Sequence, residues 1–464
     1  MKFFLSLFTL FSIFCTTLTN AALLNIASES VEAAAWTIVD TQSGQIIAEH
    51  NSHVQRAPAS LTKMMVAYIA LKEIKAGKLK LNEVITATPV VSVVQWDESQ
   101  MYLKAGEQIS VDQLLAGLIV MSANDAAVTL AEKISVDQLL AGLIVMSAND
   151  AAVTLAEKIS GDVPHFVQRM NQEAQALGMK DTHFSNPAGI TMPDHYTTAH
   201  DLSLLSQAVI HQTPEYLHYS KMPSFSYNQR FHHATNLALK YDPSVDGLKT
   251  GYTKAAGYNL ALTASRPSFS PNLPQRRLLV IVLGTPSAVK RAEIADKLMN
   301  LAYAYTRDEV VIPEQKLIAE LPVIKSTLKM FKVETKQPTI VTTSLYAEPT
   351  PIDLNTFDYA TQRIQVLDSN QQPKVIAPLE TTQTRVNIQL NEQKLTAPLM
   401  KAMNLATVSI YQNNQLIRSL QIENDVHIEE ANIFQRIMMW FSSLFSIFSS
   451  SEHSAAKLYP IDSH

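Results

Sequence analysis

Residues 56–65 read RAPASLTKMM, and residues 66–76, VAYIALKEIKA, continue without a helix breaker. Leu61, Met64, Met65, Ala67, Tyr68 and Leu71 recur at helical intervals, which predicts an amphipathic helix from Ser60 to about Ala76. Side chains three apart on a helix share a face, so Lys63 can reach the Ser60 hydroxyl. The N-terminus of that helix also offers backbone N–H groups to a developing negative charge. Serine is a weak nucleophile until a neighbouring base takes its proton. Lysine can be that base where burial and nearby positive charge lower its proton affinity. The S-x-x-K spacing alone decides little, because it recurs at Ser287–Lys290, Ser326–Lys329 and Ser454–Lys457. It needs partners elsewhere in the chain.

Two partners are present. Lys249-Thr250-Gly251 sits in a β-rich run, Asp246 to Thr253. On an edge strand, Lys249 and Thr250 can grip a carboxylate, while Gly251 lets a substrate backbone approach closely. The second partner is Ser-Ala-Asn-Asp, which occurs twice, at Ser122–Asp125 and Ser147–Asp150. A Ser-x-Asn segment supplies a hydroxyl for proton relay and an amide for a peptide group. Both copies lie in a tandem repeat: residues 134–158 duplicate residues 109–133 without a change. Each copy predicts a helix (Val111–Met121 or Val136–Met146), the Ser-Ala-Asn-Asp turn and a second helix. Ser110 and Ser135 act as N-caps, each with Gln three residues on. One copy is surplus. Its six apolar residues Leu114, Leu115, Leu118, Ile119, Val120 and Met121, or their equivalents, would each forgo roughly 1.5–3 kcal/mol if left in water. Only the second copy runs into Gly161, a helix stop. That glycine favours Ser147 and Asn149 as the working pair, with Ser122 and Asn124 taking the role if the first copy docks.

In the order S-x-x-K, S-x-N, K-T-G, these segments resemble the penicillin-recognising serine enzymes. More narrowly, the chain resembles the low-molecular-mass, type-5 penicillin-binding proteins, the D-alanyl-D-alanine carboxypeptidases. The likeness extends to SNPAGI at Ser185–Ile190, HYTTAHDL at His195–Leu202, DGLKTGYTKAAGYNL at Asp246–Leu260 and RLLVIVLG at Arg277–Gly284. It implies that Ser60 is the acylated nucleophile and Lys63 its general base, with the Ser-x-Asn serine relaying a proton together with Lys249. It further implies an oxyanion hole from the N–H groups of Ser60 and Tyr252, and a carboxylate grip at Lys249, Thr250 and Arg277, which stands beside Arg276. The implied reaction removes the terminal D-alanine from peptidoglycan pentapeptide stems, and β-lactam antibiotics acylate the same serine. No metal or organic cofactor is expected, and the thirteen histidines offer no H-E-x-x-H. Three alternatives stay open. The duplication could leave a catalytically impaired penicillin-binding or scaffolding protein, or the chain could be a related D,D-endopeptidase. A class A β-lactamase fits less well, because the chain continues far beyond the motifs.

The 464 residues, 47% hydrophobic and 17% charged, suffice for two or three domains. A net charge of −5 leaves no basic footprint for nucleic acid. Residues 1–21 read as a secretory signal: Lys2, an apolar stretch from Phe3 to Phe14, then Thr19-Asn20-Ala21. The single cysteine, Cys15, lies within it, so the mature chain can form no disulfide and no zinc–thiolate site. An α+β catalytic domain is expected over residues 27–306. Its elements are a hairpin at 34–49, helices near 163–178 and 199–211, strands at Asp246–Thr253, Tyr258–Ser265 and Arg277–Leu283, and a helix at Ala288–Tyr305. Short β-branched runs then predict a small all-β domain at 308–425. Within 430–449, Ile433, Ile437, Trp440, Phe441, Leu444 and Phe448 line one face of a helix. Residues 433–448 are therefore expected to lie in a membrane interface, attaching an exported protein to the periplasmic face of the inner membrane. The last residues, 450–464, read as a disordered tail.

Overall fold

The computed structural model describes residues 22–86, 88–89, 108–109, 134–135, 140, 143–144, 147–227, 230–270, 273–367, 372–424, 426–445 and 455–461. Residues 1–21, expected as a secretory signal, Ser122, Asn124 and residues 446–448 lie outside these residues. The architecture is α+β: a penicillin-binding-protein-like catalytic domain, β-structure after residue 306 and a C-terminal helix.

The catalytic domain is organised by five antiparallel strands: β1 (Ala35–Asp40), β2 (Ile46–His50), β8 (Val245–Thr253), β9 (Gly257–Pro267) and β10 (Gln275–Thr285). Their order is β2-β1-β10-β9-β8, so β8 forms an edge. The uninterrupted apolar run of β10 follows from burial on both faces. Leu279, Ile281 and Leu283 enter one core, and Leu278, Val280 and Val282 the other. The first core is helical: α1 (Lys63–Lys75), α2 (Asn149–Ser160), α3 (Val163–Ala176), α4 (Ala199–Gln212) and the short α5 (Tyr216–Ser220). The second face is covered by α6 (Ala288–Tyr305).

Local chemistry sets the helix ends. Gly161, at φ +87°, closes α2 with its N–H on the Glu157 carbonyl (2.7 Å). Asp162 caps α3 through the His165 N–H at 2.8 Å, and Thr198 caps α4 through the Asp201 N–H. Ser287 caps α6 by accepting from the Lys290 N–H, which accounts for one surplus S-x-x-K match. The nucleophile segment departs from the expected single helix: residues Ala59–Thr62 form a 3₁₀ turn, and the α-helix starts at Lys63.

The tandem repeat meets the fold at β3 (Val84–Thr86). Strand β4 (Gln108–Ile109) pairs with one edge of β3 and β5 (Ile134–Ser135) with the other. Ile109 and Ile134, equivalent positions of the two copies, both register with Ile85. The starts of the two copies thus pair on opposite sides of β3. Leu140, Leu143, Ile144 and Ala148, all from the second copy, lie in the core with Met64, Met65 and Leu155. A hairpin, β6 (Ser224–Tyr227) and β7 (Arg230–His233), follows the helical region and carries His232 and His233.

Beyond α6, strands β11 (Thr306–Ile312) and β14 (Thr339–Ser344) pair, as do β12 (Leu317–Ile324) and β13 (Met330–Glu334). Strands β15 (Phe357–Asp358), β16 (Arg363–Leu367) and β17 (Pro373–Ile376) form a separate sheet. Strand β19 (Leu395–Thr396) joins β12, while β18 (Thr384–Leu390), β20 (Asn404–Gln412) and β21 (Gln415–Glu423) make a last sheet. The expected domain division at 306/308 needs one correction. Ile352, Leu354, Phe357, Ile364 and Ile376 pack with Leu298 and Tyr305 of α6, in the catalytic domain's second core.

Helix α7 (Ile433–Phe445) exposes Ile433, Phe434, Ile437, Met438, Trp440 and Phe441. Among the described residues no helix is long and apolar enough to cross a membrane. The tail is not disordered throughout, contrary to the expectation from its composition. Strand β22 (Lys457–Leu458) pairs antiparallel with β12, the Tyr459 N–H donates to the Ile318 carbonyl (2.9 Å), and Ala456 and Ile461 pack on the β-domain core. A few apolar contacts and an open strand edge suffice to order it.

Candidate active site

The 3₁₀ turn at Ala59–Thr62 packs against β8 at Gly251. A β-carbon on Gly251 would stand 3.1 Å from the Ser60 nitrogen and 3.2 Å from the Leu61 nitrogen, so glycine permits the close approach of strand and turn. Asn259 of β9 ties the incoming loop to the sheet: its amide donates to the carbonyls of Ala57 (3.2 Å) and Pro58 (3.3 Å) and accepts from the Gly284 N–H (2.9 Å).

Lys63 is fully buried and its Nζ lies 3.0 Å from Ser60 Oγ. It also donates to the Ala188 carbonyl. The SNPAGI segment builds that acceptor, because Asn186 Oδ1 accepts the N–H groups of Ala188 (3.2 Å), Gly189 (2.7 Å) and Ile190 (3.0 Å). Gly189, at φ +86°, lies directly against the Ala59–Ser60 peptide, where any β-carbon would strike the Ala59 carbonyl.

Lys249 is also buried and donates to the Thr250 carbonyl at 2.9 Å. Burial, then the positive charges of Lys63 and Arg291, push its proton affinity well below that of a free lysine. Thr250 Oγ1 meets Thr235 Oγ1 at 2.6 Å, and Tyr252 is exposed, its ring 4.2 Å from that of Tyr258. Ser147 and Asn149 of the second copy are buried at the start of α2, which packs on α1. Ser147, at φ +63°, holds a hydroxyl with no hydrogen-bond partner among the described residues.

Arg277 departs from its expected role. Its guanidinium makes a bidentate pair with Asp246 (2.7 and 2.8 Å) at the far end of β8, five residues or roughly 16 Å along the strand from Gly251. Arg291 reaches the K-T-G segment instead. From α6 it donates to the carbonyls of Gly251 and Asn259 (both 3.3 Å) and of Thr235 (3.2 Å). Burial lowers its own proton affinity to about 10. No local pattern in the sequence marks Arg291, and Asn259, though inside DGLKTGYTKAAGYNL, gives no local sign of its reach to the distant Ala57 and Pro58 carbonyls.

A half-buried serine against a buried lysine, beside an edge strand that carries a second buried lysine, is a combination that can support acyl transfer to serine. The D-alanyl-D-alanine carboxypeptidase family model matches residues 23–135 and again 132–286, dividing inside the tandem repeat. The chain belongs to that family, the serine peptidases among the low-molecular-mass penicillin-binding proteins. It is 28% identical over 417 residues to D-alanyl-D-alanine carboxypeptidase DacD of Escherichia coli, covering 89% of this chain and 90% of the relative. It is 34% identical to the Salmonella typhimurium DacD over 277 residues, 58% of this chain and 63% of the relative. Among solved structures, penicillin binding protein 5 from Haemophilus influenzae superposes with a TM-score of 0.66 at 26% identity, covering 86% of this chain and 98% of that one.

Proposed function

We propose that this protein removes the C-terminal D-alanine from peptidoglycan pentapeptide stems through an acyl-enzyme on Ser60, and that penicillin acylates the same atom. The observation that carries this reading is the 3.0 Å approach of the buried Lys63 Nζ to Ser60 Oγ, beside a second lysine of depressed proton affinity. In the proposed sequence, Lys63 takes the hydroxyl proton as Ser60 attacks the penultimate carbonyl. The oxyanion is held by the N–H groups of Ser60 and Tyr252. The peptide bond breaks, D-alanine leaves with a proton relayed through Ser147 and Lys249, and water then attacks the ester. An extended stem adds along the free edge of β8, with Asn149 on its peptide group and Lys249 and Thr250 at its carboxylate. Arg291 keeps that end of the cleft positive, the part the sequence gives to Arg277. The N-terminal signal would export the chain, and the apolar face of α7 would rest it on the periplasmic surface of the inner membrane.

Labelled penicillin and a D-Ala-D-Ala peptide test this on the mature chain. Ser60→Ala should abolish both the covalent adduct and D-alanine release. Asn149→Ala should slow acylation on the order of 10²-fold, while Asn124→Ala should leave it near wild type. Undiminished labelling of Ser60→Ala would overturn the reading, and the reverse order of the two asparagines would move the site to the first copy.

A further inference from the structure

The HYTTAHDL segment at His195–Leu202 carries a histidine that the proposed acyl transfer leaves unused. We propose that His195 is a positioning residue for the nucleophile turn, acting through Thr62 on the peptide that joins Ala59 to Ser60. The inference rests on the reading of Ser60 as the nucleophile.

His195 is 2% exposed, and both ring nitrogens are engaged. The Ser185 N–H donates to Nδ1 at 2.9 Å, so that nitrogen carries no hydrogen. The hydrogen therefore sits on Nε2, which donates to Thr62 Oγ1 at 2.8 Å. Thr62 Oγ1 in turn donates to the Ala59 carbonyl at 2.8 Å. The relay runs in one direction and needs the neutral imidazole, a form that burial keeps by lowering the proton affinity to about 4.

What the relay holds is mechanically informative. Ala59 sits at φ +49°, a left-handed conformation that a residue with a β-carbon adopts only under constraint. The Ala59 carbonyl and the Ser60 N–H belong to one planar trans peptide and point in opposite directions. Pinning the oxygen therefore aims the N–H. Thr62 Oγ1 holds the oxygen by hydrogen bond, and Gly189 packs against the same peptide. Residues 185–195 thus supply the acceptor for Lys63, the packing behind Ala59 and the imidazole behind Thr62. Together they fix one of the two proposed oxyanion donors before substrate arrives.

The test is acylation and deacylation kinetics of the mature chain with labelled penicillin, alongside thermal melting. The variants are Thr62→Val, Thr62→Ser, His195→Ala, His195→Gln and the double Thr62→Val/His195→Ala. Thr62→Val and His195→Ala should each slow both steps on the order of 10- to 100-fold, because both steps develop an oxyanion. Pre-covalent affinity should be unchanged. Thr62→Ser, which keeps the hydroxyl, and His195→Gln, whose amide can still donate, should recover most of the rate. The double variant should be no slower than the worse single one. Rates within twofold of wild type for His195→Ala and Thr62→Val would overturn the proposal. So would equal losses in Thr62→Ser and Thr62→Val, or multiplying losses in the double variant. If His195→Ala does not fold, the nearly isosteric Thr62→Val and Thr62→Ser pair decides alone. Labelling that survives Ser60→Ala would instead refute the nucleophile assignment, a failure distinct from that of the relay.

Discussion

Two buried cations in this molecule live in opposite surroundings. Arg276, near the start of β10, lies between two carboxylates: its Nε is 2.9 Å from Asp40 and 3.0 Å from Asp308, and its other nitrogens donate to Thr306. Lys249, on the edge strand β8 of the same sheet, meets positive charge from Lys63 and Arg291. Arg276 joins the catalytic sheet to the β-structure that follows, and there the surroundings compensate its charge. At the cleft they compound the penalty of burial, so a lysine is held ready to release its proton. On the proposed mechanism the first arrangement serves cohesion and the second chemistry, and the two should separate under mutation.

The largest separation is expected at Arg276. Arg276→Met leaves Asp40 and Asp308 facing each other in a buried site and should destabilise the fold by about 3–5 kcal/mol. Denaturant unfolding measures it, and a loss under 1 kcal/mol would mean that Arg276 is not the keystone of that junction.

Lys249→Met should do the reverse. Acylation by penicillin should fall on the order of 10²–10³-fold, while stability holds or rises by about 1–3 kcal/mol. A lysine whose folded proton affinity is depressed binds a proton more readily when unfolded, so it penalises the fold as pH drops below roughly 10.4. The gain from Lys249→Met should therefore be visible at pH 7 and shrink toward pH 10. A variant that loses stability at pH 7 would break the comparison, since Lys249 would then be cohesive like Arg276.

The sequence carries the catalytic half of this contrast better than the structural half. Ser60, Lys63 and Lys249 stand in short motifs, and RLLVIVLG displays a two-sided strand directly. Gly161 ends α2 where the sequence puts a helix stop, because helix termination is a local property. Arg276 and Arg277 are adjacent, and strand alternation sends them to opposite faces: one to the domain junction, the other to Asp246. Which face meets the cleft depends on register and not on residue type, and so the carboxylate role went to Arg277. Arg291, Asn259 and the His195–Thr62 contact are legible only in three dimensions, each bridging tens to hundreds of residues. The tail misled for a related reason. Its composition is polar, but the open edge of β12 supplies hydrogen bonds that composition does not reveal.

The pH dependence of unfolding sharpens the Arg276 side of the comparison. Burial, and then the adjacent Asp40 carboxylate, raise the proton affinity of Asp308 to about 8, against the opposing pull of Arg276. A carboxyl raised in the folded state and ordinary when unfolded, near 3.9, lends stability that is complete below pH 4. That contribution drains as pH climbs toward 8 and is gone above it, at up to about 1.4 kcal/mol per pH unit while it drains. Asp308→Asn carries no proton to lose. Its unfolding free energy should therefore decline less than that of the wild type between pH 5 and pH 8. Parallel curves for the two proteins would show that Asp308 is ionised in the fold, leaving Arg276 to hold two charged carboxylates at once.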